Sequence, residues 1–418
     1  ILETTFNNTL KKNQRIFNND LLDDKKKLIK LSKEFNIELD SLVNILSNDT
    51  IIIPEKFRSK LLVQGAAIIL DSKHGHVLSM IGGRNEPEYL DFFNRSTQAK
   101  RQPGSVFKPF IYLTALENGY SPCKQLLNQP LVFFIDDTTR WNPQNHDGST
   151  GLLTSLRDGL RNSLNLISVR IVQELVSPEQ VRNTALRFGL SKPIKAVDAI
   201  ALGVTEVYPI EITSAYNAIS NNGILNSPLS IIQINDNEGR ELKQFFSSSE
   251  EIGDENDIFL IRDLMKSVID SGTGGSVRWK YKFYVPAAGK TGTTNSKTDA
   301  WFVGFTPQIT IGVWIGIDDP SMALGKKQYG SNAALPIFAQ AINKIYDKGY
   351  YHYLDKKIEL NNKIDWEIPD DIVSKDICKE TCCIKTDWCE GDKEYFKKEN
   401  IPIQECEEYS NPLFRFNN

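Results

Sequence analysis

Three short segments of this chain bring together residue types that can transfer an acyl group. The first is Arg101-Gln102-Pro103-Gly104-Ser105-Val106-Phe107-Lys108-Pro109-Phe110. Pro103 and Gly104 end a loop, and a helix beginning near Ser105 places the Ser105 hydroxyl and the Lys108 amine, three residues apart, on one face. Serine alone is a weak nucleophile. A neutral lysine amine within hydrogen-bond reach takes its proton once burial or a neighbouring positive charge has lowered the lysine pKa. Free N–H groups at the helix start favour the negative charge that develops beside the serine. Pro109 falls at the edge of the first turn and predicts a tightened or kinked start. Alone, Ser-x-x-Lys is ordinarily a solvated helix face, so the chemistry depends on the other two segments.

The second segment, Ser163-Leu164-Asn165, lies inside an apolar period running Leu156, Leu160, Leu164, Ile167, Ile171 and Leu175, which predicts a helical region over 155–175. Residues i and i+2 of a regular helix point apart. Ser163 and Asn165 therefore reach one site only if the helix bends or ends between them. The third segment is Gly289-Lys290-Thr291-Gly292-Thr293-Thr294, ahead of the apolar run from Trp301. On an edge strand, Lys290 supplies positive charge, Thr291 and Thr293 donate to a carboxylate, and Gly292 leaves room for a substrate backbone. The Thr293 backbone N–H can serve an oxyanion.

The elements that must position these segments are readable in outline. Residues 62–70 form a buried strand and residues 77–81 its partner, with a turn at 71–75. Residues 300–305 and 309–316 flank Thr306-Pro307-Gln308 as a second hairpin. Helical periods, including 210–219, dominate between the hairpins. Strands at both ends with helices between predict an α+β domain, an antiparallel sheet flanked by helices. No internal repeat or low-complexity tract interrupts it.

Of the 418 residues 40% are hydrophobic and 24% charged, ordinary globular usage that excludes disordered, collagenous and membrane-spanning composition. The 49 Lys and Arg nearly balance 53 Asp and Glu, which gives no electrostatic reason to expect a nucleic acid partner. The four histidines form no paired metal motif, His74 and His76 are expected to be solvated in a hairpin turn, and no metal or cofactor is expected. The loop 271–276 lacks the preceding strand and the G-K-[ST] ending of a phosphate loop.

The order Ser-x-x-Lys, Ser-x-Asn, Lys-Thr-Gly resembles the triple signature of the penicillin-recognising serine acyl transferases. The wider text is similar to the transpeptidase domain of bifunctional, class A penicillin-binding proteins. The similarity runs through 101–110, Trp141-Asn142-Pro143 with Asn145, 161–165, Ala201-Leu202-Gly203, Ala215-Tyr216, Gly272-Thr273-Gly274, 287–294 and 299–305. It covers roughly residues 60–345 and implies the fold shared by these proteins and the serine β-lactamases. It implies a D,D-transpeptidase in which Ser105 forms an acyl-enzyme with a peptidoglycan stem peptide, releases the terminal D-alanine and passes the acyl group to an amine. Lys108 would be the base, Ser163 a proton relay, and Asn165 a clamp on Lys108 and the substrate amide. Lys290 with Thr291, Gly292, Thr293 and Thr294 would bind the carboxylate end, and the backbone N–H groups of Ser105 and Thr293 would form the oxyanion hole. The cleft would be lined by the 271–276 loop. Implied partners are stem peptides on lipid II-derived glycan strands, and β-lactams that acylate Ser105.

The resemblance also implies a glycosyltransferase domain and a single-pass membrane anchor upstream of Ile1, with residues 4–10 similar to the connector between the two domains. The chain is then expected to face the periplasmic side of the bacterial cytoplasmic membrane. A serine β-lactamase is disfavoured because no Glu-x-x-Leu-Asn element is present. A D,D-carboxypeptidase or a non-catalytic penicillin-binding sensor or scaffold are the alternatives. The expected division is a polar helical connector or docking segment over 1–60, the transpeptidase domain over 61–348 and a cysteine-rich tail over 349–418. In that tail Cys378, Cys382, Cys383, Cys389 and Cys406 are spaced irregularly for zinc. An oxidising compartment suits disulfides, with Cys389–Cys406 the named pair and one tail cysteine left over unless Cys123 joins.

Overall fold

The computed structural model describes residues 1–48, 52–84, 91–134, 140–146, 148–353, 356–387 and 389–406. The elements that place the site, in chain order, are helix α1 (Leu2–Asp23), strands β1 (Val63–Asp71) and β2 (Val77–Ile81), helices α2 (Lys108–Glu117), α3 (Leu156–Arg161), α4 (Asn165–Arg170), α5 (Pro209–Ser220) and α6 (Glu255–Asp270), strands β3 (Ala288–Thr293), β4 (Asp299–Phe305) and β5 (Ile309–Ile317), and helix α7 (Leu335–Lys348).

The five strands form one antiparallel sheet in the order β3-β4-β5-β1-β2. Both expected hairpins are present, and they meet where β1 pairs with β5 from Val63↔Ile317 to Asp71↔Ile309. Every residue of β1, β4 and β5 is buried, because helices cover both faces. The period of two along β4 divides its side chains between two cores. Trp301, Val303 and Phe305 join α2, α5 and α6 on one face, whereas Ala300 and Phe302 join α1 and α7 on the other. The structure is the α+β architecture that the sequence pattern indicates.

Within the 1–60 segment α1 is docked on the sheet. Leu2, Phe6, Leu10, Phe17 and Leu21 recur at helical spacing and are all buried. Gln14, also buried, accepts from Val63 N–H at 2.8 Å and donates to Leu61 O at 2.7 Å, so β1 begins against α1.

The tail hairpin, β6 (Ile372–Cys378) with β7 (Gly391–Lys397), packs back on the helices. Glu394 accepts from Arg157 at 2.7 Å, and Lys397 donates to Asp257 at 2.7 Å. The cysteine expectation is corrected here. Cys123, isolated in sequence, is bonded to Cys382 across 259 residues, while Cys378, Cys383, Cys389 and Cys406 are thiols. Cys389 and Cys406 are close but belong to a triad with Cys378, whose sulfurs all lie within 4.8 Å of one another. Residues 407–418 of the expected tail lie outside the described residues.

Candidate active site

The turn that carries Ser105 is tighter than a helix start. Residues Gly104–Phe107 form one 3-10 turn that runs directly into α2 at Lys108. Pro109 then occupies a first-turn position, where its missing N–H costs nothing. Gly104 has φ +52°, and a Cβ there would stand 2.8 Å from Thr293 O. Only glycine combines that conformation with such close approach to β3. Upstream, Arg101 is pinned by a buried ion pair to Asp299 at 2.8 Å and by bonds to the carbonyls of Ile317 and Asp318. Trp314 Nε1 donates to the same Asp299 oxygen at 2.9 Å, and Trp301 Nε1 donates to Gln102 O at 2.8 Å. The turn bearing Ser105 is thereby locked onto β4 and β5.

The 155–175 region is broken where the site needs it. It contains α3, α4 and a π-helical turn rather than one helix, and Ser163 sits between α3 and α4 with φ +56°. That bend turns Ser163 and Asn165 toward the same point. Lys108 Nζ donates to Ser163 O at 2.7 Å and to Asn165 Oδ1 at 2.9 Å. Ser163 Oγ is 3.5 Å away, beyond the ordinary N–H···O range. Asn165 is itself held by Gln144 O at 2.8 Å, and Asn145 accepts from Leu166 N–H at 3.0 Å to fix the start of α4. Among the described residues no hydrogen bond joins Ser105 Oγ to Lys108.

β3 is the sheet edge, as expected, and supplies the opposite wall. Lys290 is fully buried and donates to Thr291 O at 3.2 Å. Thr291 Oγ1 is 2.7 Å from Thr273 Oγ1, which brings the 271–276 loop to the cleft, and Thr293 Oγ1 accepts from Gly330 N–H at 3.0 Å. Thr294 and Gly292 also have structural contacts of their own. Thr294 Oγ1 is spent inside the chain, bonded to Thr298 and accepting from Asp299 N–H, so it closes the β3–β4 turn although it borders the cleft. Gly292 is needed on its inner side: a Cβ would stand 2.7 Å from Pro103 O and 2.9 Å from Val106.

These residues enclose a cleft of about 470 Å³ lined by Ser105, Ser163, Asn165, Thr291, Gly292 and Thr293. Tyr329, His146 and Lys297 also line it, with Tyr329 4.8 Å from the His146 ring and under the Lys297 ammonium at 5.2 Å. No sequence spacing pointed to these three, which arrive from separate loops.

The two lysines differ electrostatically. Burial pushes Lys108 well below the ordinary lysine range, and the nearby positive charge of Lys290 pushes it further the same way. Burial brings Lys290 down to about 7. A neutral Lys108 has two N–H donors and one lone pair. Ser163 O and Asn165 Oδ1 occupy both donors, which leaves the lone pair as an acceptor.

Among the described residues two groups have metal-ligand spacing, Cys378/Cys389/Cys406 and Asp71/His74/His76, both outside the cleft. The second corrects the expected solvation of His76, which is buried, while His74 is exposed as expected. Asp71 caps the turn by accepting from Lys73 N–H at 2.7 Å and Tyr351 Oη at 2.9 Å.

Comparison with known proteins gives a consistent answer. Residues 65–343 match the family model described as the penicillin binding protein transpeptidase domain. The chain is 36% identical over 313 residues to penicillin-binding protein 1A of Rickettsia prowazekii, covering 68% of this chain and 38% of that protein. It is 30% identical over 345 residues to penicillin-binding protein 1A of Aquifex aeolicus, covering 82% and 45% respectively. The crystal structure of penicillin-binding protein 1A from Haemophilus influenzae superposes with TM-score 0.74 at 26% identity, covering 83% of this chain and 55% of that one. The chain thus spans less than half the length of these curated relatives.

Proposed function

The chain belongs to the penicillin-binding protein transpeptidase family, and from that membership we propose that it is a serine D,D-transpeptidase that cross-links peptidoglycan stem peptides and is acylated by β-lactams. The observation that carries the reading is the buried Lys108 amine, depressed in pKa, with both donors engaged by Ser163 O and Asn165 Oδ1. Its lone pair takes the Ser105 proton as Ser105 Oγ attacks the carbonyl of the penultimate D-alanine. Ser163 Oγ relays a proton to the leaving amine after closing the 3.5 Å gap to Lys108. Lys290, Thr291 and Thr293 meet the terminal carboxylate, and the N–H groups of Ser105 and Thr293 receive the oxyanion. An amine then attacks the acyl-enzyme and restores the Ser105 hydroxyl.

Supporting a place outside the cytoplasm, Cys123–Cys382 suits an oxidising compartment. No helix among the described residues is long and apolar enough to cross a membrane. We keep 61–348 as the proposed extent of the catalytic unit.

The test is incubation with a fluorescent penicillin, followed by intact mass measurement of wild type and Ser105→Ala. One penicilloyl group on wild type and none on Ser105→Ala is expected. An unmodified wild type, or an adduct that survives the substitution, overturns the reading.

A further inference from the structure

A second concavity, about 650 Å³, continues the cleft past its carboxylate-binding end, and Thr273 and Ser331 line both spaces. Its walls carry Lys12 from α1, Lys280, Lys326 and Lys327, all exposed, and no Asp or Glu. Among the described residues none of these four ammonium groups is in an ion pair; Asp20, outside the groove, accepts from the Lys326 backbone N–H. Two lining side chains have buried polar atoms without partners. Gln328 is 2% exposed with an unpaired Oε1, and Ser276 has an unpaired Oγ. Buried acceptors left unmet favour a ligand that brings donors. Trp279, 66% exposed, gives the groove an aromatic wall.

Position says which ligand. Aminolysis of an acyl-enzyme retraces acylation, so the attacking amine must stand where the leaving amine stood, beside the carboxylate-binding wall. A groove opening from that wall receives the remainder of the amine-bearing molecule. We propose that this groove binds the acceptor peptide of the cross-linking reaction and selects acceptors that carry carboxylates. The lysines meet the carboxylates and Gln328 Oε1 accepts from a peptide N–H. The acceptor nitrogen forms a bond to the acyl carbon as the bond from that carbon to Ser105 Oγ breaks. The nitrogen loses one proton to the Lys108–Ser163 relay, and Ser105 Oγ regains one. The proposal rests on the acyl-transfer reading above.

The test compares two short amine donors, the acidic peptide Ala-Glu-Lys and Ala-Gln-Lys amide, on wild type, Lys280→Glu/Lys326→Glu and the charge-conserving Lys280→Arg/Lys326→Arg. The Glu variant should raise the half-saturating concentration of the acidic donor roughly tenfold, with the amide donor unaffected and the Arg variant near wild type. Fluorescent-penicillin acylation should stay within about twofold of wild type in all three. Peptide-induced quenching of Trp279, identified by its loss in Trp279→Phe, reads binding without turnover and should weaken as salt screens the lysines. Equal binding of both donors by wild type, or unchanged acidic-donor binding in the Glu variant, overturns the proposal. Absence of any penicillin adduct would refute the acyl-transfer reading instead, and would leave the quenching result to decide the groove.

Discussion

The candidate cleft and the cysteine tail are both built from residues far apart in sequence, yet only the meeting of the first set was legible. In the cleft each segment carries its own chemistry: a hydroxyl three residues from an amine, or a lysine and threonines along an edge strand. Ser105, Ser163 and Lys290 consequently announce themselves before their meeting is known. A cysteine announces only that it can pair. An oxidising compartment suited pairing within the tail, with Cys389–Cys406 the named pair, whereas the fold brings Cys123 to Cys382 with Cα atoms 5.4 Å apart. The contrast teaches that a site is readable from sequence when its residues differ in kind and unreadable when they are alike.

The comparison breaks most visibly at Lys108. Lys108→Ala is expected to lower the rate of penicillin acylation by about 10²- to 10⁴-fold, the usual worth of a positioned base, as followed by stopped-flow fluorescence. Lys108→Arg should not rescue it, because a guanidinium does not give up its proton near neutral pH. Retention of activity in either variant would mean that the cleft motif was as misleading as the expected tail disulfide.

Next comes the clamp on the nucleophile turn. Asp299→Ala leaves the Arg101 guanidinium buried without its carboxylate and should destabilise the protein by about 3 to 5 kcal/mol, read as a shift of the denaturant midpoint. In the tail, Cys382→Ser should cost about 2 to 4 kcal/mol and free the hairpin for proteolysis, with Ser105 acylation unchanged. Alkylation of the denatured, unreduced chain should add four labels, one for each thiol. Fewer labels would show the Cys378–Cys389–Cys406 triad closing a bond of its own.

The smallest effect sharpens the contrast between the two cleft lysines. In its proposed role Lys108 must be neutral, and its pKa lies well below 10.5, so acylation is expected to rise with pH through that lowered value. In its proposed role Lys290 must be charged, and its pKa is about 7, so acylation by a carboxylate-bearing substrate is expected to fall above that value in the free enzyme. A bell-shaped pH profile follows, changing at most about tenfold per pH unit on each limb. A substrate lacking the carboxylate should lose the alkaline limb.

Much of the fold was legible for simple reasons. Both hairpins show as apolar runs bounded by turn residues, and their burial on two faces explains why the runs are continuous. The 155–175 period was real, but periodicity measures which face is apolar and does not register one residue at φ +56°. The bend at Ser163 is visible only through its consequence, two polar side chains that a straight helix would point apart. α1 read as polar because Asn13, Gln14 and Asn18 interrupt its stripe. Those three are buried and bonded to the backbone of Ala333, Leu61 and Leu46. Thr294 and Gly292 also make internal contacts, the Thr294 hydroxyl with Thr298 and Asp299 and Gly292 against Pro103 O, which no spacing encodes.

By itself the sequence determined the candidate groups, their order and the strands and helices that carry them, because residue type and local periodicity are properties of the chain. Tertiary structure alone decided that Lys108 is pushed well below the ordinary lysine range and Lys290 down to about 7, that the Arg101–Asp299 pair locks the turn bearing Ser105, and which cysteine meets Cys123. Each of those depends on burial and on charges or sulfurs brought close from distant segments, and proximity in space is set only when the whole chain packs.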